Sequence, residues 1–235
     1  MIRRLAALAA VVCSPSLHAA DFPNVGTLTQ DQFRKLSEDL GAAVAYKGVT
    51  PATNLGILGF DIGIEVTDTK MENSSLFALA GAGEQSRLVI PKLHVHKGLA
   101  AGWDIGAFIG AAPDVDATLL GGEMRYAILE DGLTTPAIGL RVSGTKVTGT
   151  GDLGVWTAAA DVVVSKRFTF VTPYVGGGAV HVNSRVSNSP LAEEKFNKGR
   201  VFAGVNVNLV AMNFAFEAEK MGDNTSLSAK VGWRF

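Results

Sequence analysis

Only one cysteine, Cys13, stands in the 235 residues, and it falls in the first segment of the chain. If that segment is removed on export, no disulfide can form in what remains. Charge of one sign is equally scarce, since 21 basic residues stand against 22 acidic ones. Such a balance steers neither nucleic acid nor an acidic surface to the protein, so nucleic acid is excluded as a partner. Beyond the first segment no apolar run approaches the roughly 20 residues of a membrane-spanning helix. Glycine is what the chain has in quantity, 27 residues, spread through short apolar runs broken by turn signals. That texture favours an all-β protein, and the length suits one barrel domain.

Residues 1–20 read as a secretory signal peptide. Arg3 and Arg4 supply positive charge, Leu5 to Val12 a short apolar core, and Ser14 to Ala20 a small-residue region before Asp21. A lipoprotein reading of Cys13 is disfavoured because Val12 stands where that motif wants a small residue. Residues 21–57 form an N-terminal periplasmic or luminal segment. Within it, 29–40 is expected to be helical: Thr29 can cap the first amides, Phe33, Leu36 and Leu40 share one stripe, and Gly41 is a natural stop. This helix is expected to pack under or inside a barrel mouth, with a plug or a periplasmic contact as its functional alternative. Ala42 to Asn54 reads either as a short strand or as a segment entering the lumen.

From residue 58 to 235 a period of two takes over. Strands are expected at 58–67, 87–97, 102–110, 118–129, 135–145, 153–166, 168–183, 199–210, 212–222 and 225–235, with twelve strands as the alternative if residues 42–56 join the sheet. Tight connections alternate with longer ones at 68–86, 111–117, 146–152 and 184–198, and residues 76–80 can form a helical turn within the first of these. In Phe60-Asp61-Ile62-Gly63-Ile64-Glu65-Val66 the apolar side chains take one face and the acids the other, which is the pattern of a strand with one wet side. The final segment, Ser226 to Phe235, alternates without a break and places Leu227, Ala229, Val231, Trp233 and Phe235 on one greasy face. These features resemble Gram-negative outer-membrane β-barrel proteins. The resemblance implies a closed antiparallel transmembrane β-barrel of about ten strands, a bacterial outer-membrane location, lipid as a partner, and a C-terminal strand whose Trp233 and Phe235 are read by the β-barrel assembly machinery. Aromatic residues on the outward parity, namely Trp103, Tyr126, Trp156, Phe168, Phe170, Tyr174, Phe214, Trp233 and Phe235, are expected to form interfacial girdles.

A charge facing lipid at mid-depth costs about 2 to 4 kcal/mol for a basic residue, so the charged parity must look inward. The lumen-lining candidates are the acids Asp61, Glu65, Asp104, Glu123, Asp161, Glu217 and Glu219, the bases Lys92, Arg125, Arg141, Lys230 and Arg234, and the histidines His94, His96 and His181. Asn206, Asn208 and Asn213 are neutral partners. Charges of both signs in so narrow a space are expected to pair with one another, or to line a constricted, porin-like channel. His94 and His96 share a face, but two histidines do not make a zinc site and Lys92 beside them repels a cation, so no metal and no cofactor is expected. For catalysis, His181 with Ser184 or Ser187 is the nearest approach to a serine hydrolase pair, and Asp114 and Asp116 are loop acids. Adjacency in sequence does not supply the required geometry. The expected function is therefore non-enzymatic: passive passage or binding of a small solute, or a structural role in the envelope. An outer-membrane hydrolase acting on lipid or peptide is the alternative.

Overall fold

The computed structural model describes residues 22–235, so the expected signal peptide and Cys13 lie outside the described residues. Ten strands follow one another around a closed barrel: β1 (Phe60–Lys70), β2 (Arg87–Gly98), β3 (Trp103–Ala112), β4 (Ala117–Leu129), β5 (Ala137–Thr148), β6 (Leu153–Ser165), β7 (Val171–Val186), β8 (Glu194–Leu209), β9 (Met212–Met221) and β10 (Asn224–Arg234). Each pairs antiparallel with its neighbour in sequence. The last pairs with the first, from Asp61 opposite Arg234 to Thr69 opposite Ser226. Closure removes the sheet edges that would otherwise template aggregation. At the seam Phe60 N donates to Phe235 O (2.6 Å), Phe235 N donates to Phe60 O (3.0 Å), and the two rings stack at 6.0 Å.

The barrel has a terminal rim, where β1 begins and β10 ends, and a loop rim opposite. The 71–86 connection at the loop rim is the longest and carries α2 (Ser74–Leu79). Beyond it, the expected asymmetry of connection length is weak. Ser184 to Val186 extend β7 and Glu194 to Lys198 begin β8, so the connection between them shrinks to 187–193, which is no longer than 130–136 at the terminal rim.

Alternate residues face out and in along every strand, as the pleat dictates. The outer wall carries Ile64, Leu93, Ile109, Met124, Val142, Val162, Val201, Phe216 and Val231, all exposed. Burying one such side chain is worth about 1.5 to 3 kcal/mol, and an apolar surface this continuous marks contact with an apolar partner. Trp103, Tyr126, Phe168, Phe170, Trp233 and Phe235 gather toward the terminal rim, where Trp103 and Tyr126 pack at 4.7 Å. Tyr174 does not join them. It points inward and is buried with Val163 and Phe202.

The N-terminal segment lies inside the barrel. Helix α1 (Gln30–Val44) begins at a capping box, in which Thr29 Oγ1 accepts from Gln32 N and Gln32 Oε1 accepts from Thr29 N. Gly41 does not stop the helix, which runs on to Val44. Glycine is required there for closeness instead, because a Cβ would come within 2.7 Å of the Val182 side chain. The stripe Phe33, Leu36, Leu40 and Val44 joins Phe77 of α2, Leu88, Ile90, Leu119, Leu153 and Val155 in one apolar core that fills the loop-rim half of the lumen. Phe22 packs on Phe77 at 6.2 Å. After Val44 the chain is neither strand nor helix. It runs down the lumen to the terminal rim and there turns into β1, so the count remains ten strands.

Candidate functional site

Helix α1 is fastened at the loop rim. Gln30 Nε2 donates to Ala192 O (3.1 Å), and Asp39, itself buried, accepts from Asn73 N (2.7 Å) and Asn224 Nδ2 (2.8 Å). Glu38 receives Arg34 Nε (2.9 Å) and Lys198 Nζ (3.1 Å). Burial alone would raise the Glu38 carboxyl, but these two cations outweigh it and hold it below the ordinary carboxylate value. Of the expected placements, the helix thus takes the one inside a barrel mouth, at the loop rim. The reason is the apolar stripe of α1, whose partners Phe77, Leu88 and Ile90 all lie on that side.

Below the helix the interior turns polar. Tyr46 wedges against Phe108 (5.2 Å) and His94 (5.8 Å), and its hydroxyl stands 3.4 Å from His96 Nε2. Lys47 Nζ reaches Glu219 Oε1 (2.6 Å) and donates to Ala42 O (2.7 Å). Gly48 passes so close to Arg141 that any Cβ would collide with the guanidinium. Arg125 Nη1 donates to Thr50 Oγ1 (2.6 Å), Ser165 Oγ accepts from Ala52 N (3.1 Å), and Asp104 Oδ1 accepts from Leu55 N (3.0 Å). Arg200 Nη1 donates to Tyr46 O (2.7 Å). Contacts from seven strands around the wall, β2 to β6, β8 and β9, therefore grip a single threaded segment.

The wall charges pair closely. Glu65 lies 2.7 Å from Lys92 and 2.9 Å from His94, and Glu123 lies 3.0 Å from His96 and 3.3 Å from Arg125, which also holds Asp104 at 2.9 Å. Asp161 is shared by Arg141 (3.2 Å) and Arg200, and Asp61 by Lys230 (3.2 Å) and Arg234. Glu217 is buried, and neither its carboxylate nor Nη1 of Arg141 has a hydrogen-bond partner among the described residues. Lys47 and Arg200 are missing from the set expected from sequence. Arg200 shares parity with Asn206 on β8 and was legible there, whereas Lys47 sits in an aperiodic stretch that signals no facing.

His181 is a correction. It occupies the outward parity of β7, with Val180 and Val182 buried inside, its ring 5.4 Å from Trp156 and its Nδ1 2.8 Å from Asn197 Oδ1. The loop-rim half of the barrel inverts the usual dressing, because α1 makes the interior apolar there. Ser184 is turned inward, away from His181, Ser187 stands past the end of β7, and Asp114 lies in a short turn at the loop rim, so the expected hydrolase residues do not converge. No group of three or more His, Cys, Asp and Glu with metal-holding geometry occurs among the described residues.

Inside the barrel, two small cavities bear on whether a passage exists. One of about 20 Å³ lies at the loop rim beside Asp39 and Asn224, and one of about 10 Å³ lies among Phe22, Leu40, Val115 and Leu153. Each is of the order of one water molecule.

A closed, ten-stranded antiparallel barrel with an apolar outer wall and a charged interior resembles the Gram-negative outer-membrane β-barrel proteins. No protein-family model matches the chain, and no curated protein does. Among solved structures it is similar to the translocator domain of the autotransporter NalP from Neisseria meningitidis, at 11% identity over 93% of this chain and 100% of that one, with a TM-score of 0.45. It is also similar to the KdgM porin in complex with disordered oligogalacturonate (9% identity, 76% and 99% covered, TM-score 0.40). A third is the N-terminal β-barrel domain of Pseudomonas aeruginosa OprF (12% identity, 74% and 97% covered, TM-score 0.34). At these scores the likenesses say nothing of function, and the barrel class rests on the closed register of the chain itself.

Proposed function

We propose that the protein is a bacterial outer-membrane β-barrel that acts as a non-enzymatic structural component of the envelope, with its lumen closed by its own N-terminal segment. The observation that carries this reading is the threaded stretch from Tyr46 to Leu55, gripped by Asp104, Arg125, Ser165, Arg200 and Glu219. The apolar outer wall supports membrane embedding. The alternating parity keeps mid-depth charge off that wall, where each basic residue would cost about 2 to 4 kcal/mol. The terminal rim faces the periplasm and the loop rim the outside. Trp233 on β10 and Phe235 just past its end, both exposed, are available to the assembly machinery before the seam closes.

Passive passage of a small solute is the second reading. The unpartnered Glu217 carboxylate and Arg141 Nη1 favour it, since both would line a polar path if residues 22–55 withdrew. Two measurements test the proposal together. Fractionation with heat-modifiable migration tests the membrane barrel, and swelling of liposomes carrying the protein in small sugars tests closure. The expected result is a folded outer-membrane species that admits no sugar. Sugar entry through the intact chain would favour passage instead.

A further inference from the structure

We infer that β8 offers its free edge, residues 195–199, to an extended acidic peptide of another protein, which adds to the barrel sheet in line with β9. This partner is additional to the envelope role above and depends on that reading only for the outward orientation of the loop rim.

The ladders on the two sides of β8 end at different heights. With β7 the pairing runs from Val207 opposite Val171 up to Glu194 opposite Ser184, but with β9 it stops at Arg200 opposite Met221. The chain then turns at Gly222 and Asp223 into β10, so residues 194–199 stand above that turn with a neighbour on one side. Hydrogen bonds fix which groups face the gap. Asn208 N donates to Phe170 O on the β7 side (2.8 Å), and Gly199 O accepts from Gly222 N on the β9 side (3.3 Å). Backbone groups alternate along an antiparallel strand, so the even-numbered residues of β8 serve β7 and the odd-numbered ones face β9. The N–H and C=O of Lys195 and Asn197 therefore point into the gap, where they have no hydrogen-bond partner among the described residues.

This edge lies in water. The outward residues of β8 are apolar at Val207, Val205, Ala203 and Val201 and turn polar at Asn197 and Lys195. Bare backbone groups are not tolerated in lipid, which agrees with that boundary. The strand is also braced from inside, where Arg34 covers the Phe196 ring at 3.8 Å and Lys198 reaches Glu38 at 3.1 Å. A second overhang, residues 87–91 of β2 above the end of its β3 ladder, is blunted by Pro91, a residue that guards sheet edges. Residues 194–199 contain no proline.

Open backbone donors and acceptors on a preformed strand select another strand. Continuing the β8–β9 register places the outward side chains of an added strand opposite Gly199, Asn197 and Lys195. Lys220, exposed and without an ion pair among the described residues, stands just below the first of these positions. Lys195, which pairs with Glu193 at 2.7 Å, stands beside the last. Acidic side chains suit positions flanked by lysine at both ends. A second copy suits them poorly. Offering the same edge antiparallel, it would bring Lys195 of each chain toward Lys220 of the other and would turn one barrel over in the membrane.

The test uses the full chain refolded in neutral detergent and a fluorescent heptapeptide, Thr-Glu-Val-Glu-Val-Glu-Thr. Its binding is read by anisotropy, and its place by hydrogen exchange at the Lys195 and Asn197 amides, which should become protected. With glutamates outward, the glutamate amides face β8 and the valine amides face away. N-methylation of the glutamates should therefore weaken binding by roughly tenfold, and N-methylation of the valines should leave it nearly unchanged. Asn197→Pro removes an N–H that serves no ladder, so the barrel should stay folded while affinity falls by roughly tenfold. A glutamine version of the peptide should bind more weakly, and Lys220→Gln should narrow the difference. Equal binding of the two methylated peptides, full affinity in folded Asn197→Pro, or equal binding of the glutamine peptide would each overturn the inference. So would Lys195 and Asn197 amides that become protected without peptide as protein concentration rises, since a second copy would then cover the edge. Binding by the refolded protein but not by intact cells producing it would overturn the outward orientation of the loop rim and leave the edge site standing; no binding by the refolded protein would overturn the edge site alone.

Discussion

Lys47 Nζ lies 2.6 Å from Glu219 Oε1, and neither side chain reaches solvent. This pair joins the threaded segment to the wall of the barrel. It also balances the charge below the helix, where Asp61, Glu65, Asp104, Glu123, Asp161, Glu217 and Glu219 face Lys92, Arg125, Arg141, Arg200, Lys230, Arg234 and Lys47. Without Lys47 the acids would be in excess. The segment is therefore part of the folded barrel's electrostatics as well as its packing.

Removing one partner of a buried pair leaves the other charge uncompensated. Lys47→Met should cost about 3 to 5 kcal/mol, read as a lower urea midpoint for the folded barrel. The double variant Lys47→Met/Glu219→Gln should recover most of the loss. A single variant as stable as the parent would show that the pair does not hold the segment.

Gly48 is set by the approach of Arg141. Gly48→Ala should push the segment off the wall, so amides over residues 45–55 should exchange faster while those of β4 to β7 keep their protection. Unchanged exchange over 45–55 would refute that closeness.

The docking of α1 should weaken in acid. The Glu38 carboxyl is held below its ordinary value, so its contacts with Arg34 and Lys198 contribute fully above the ordinary carboxylate range and are lost as pH falls through the lowered one. Protection of α1 amides, taken relative to their intrinsic exchange rate at each pH, should therefore fall as the pH drops below the ordinary carboxylate range. In Glu38→Gln that step should shrink, with weaker protection already at neutral pH; a step of the same size in both proteins would assign it to other carboxylates.

Phe235 closes the seam by stacking on Phe60. Phe235→Ala should leave synthesis and export intact but lower the fraction of heat-modifiable barrel, because the last pairing loses its ring contact. A normal fraction would argue against any role for this residue in closure or assembly.

Much of this architecture can be read from the period of two alone. Asp61, Glu65, Glu123 and Arg125 alternate with Ile62, Ile64 and Met124, and that is enough to write a barrel with a polar inside. The helix is equally legible from Thr29 and its apolar stripe. His181 and Tyr174 are misjudged by the same rule for opposite reasons. Near the loop rim the interior is apolar because α1 fills it, so a polar residue there can face out. In the terminal half an aromatic side chain can face in to fill space around Arg141 and Phe202. The path of residues 45–55 has no periodicity to betray it, since its conformation is imposed by the wall it touches, including a positive φ of 46° at Val49. Local propensity would never choose that for a β-branched residue.

The most direct test of the closed lumen is single-channel recording of the refolded protein in a planar bilayer, with a variant lacking residues 22–55 alongside. The intact chain should insert and stay electrically silent, and the shortened barrel should show stable steps. Steady ohmic conductance from the intact chain would contradict the account.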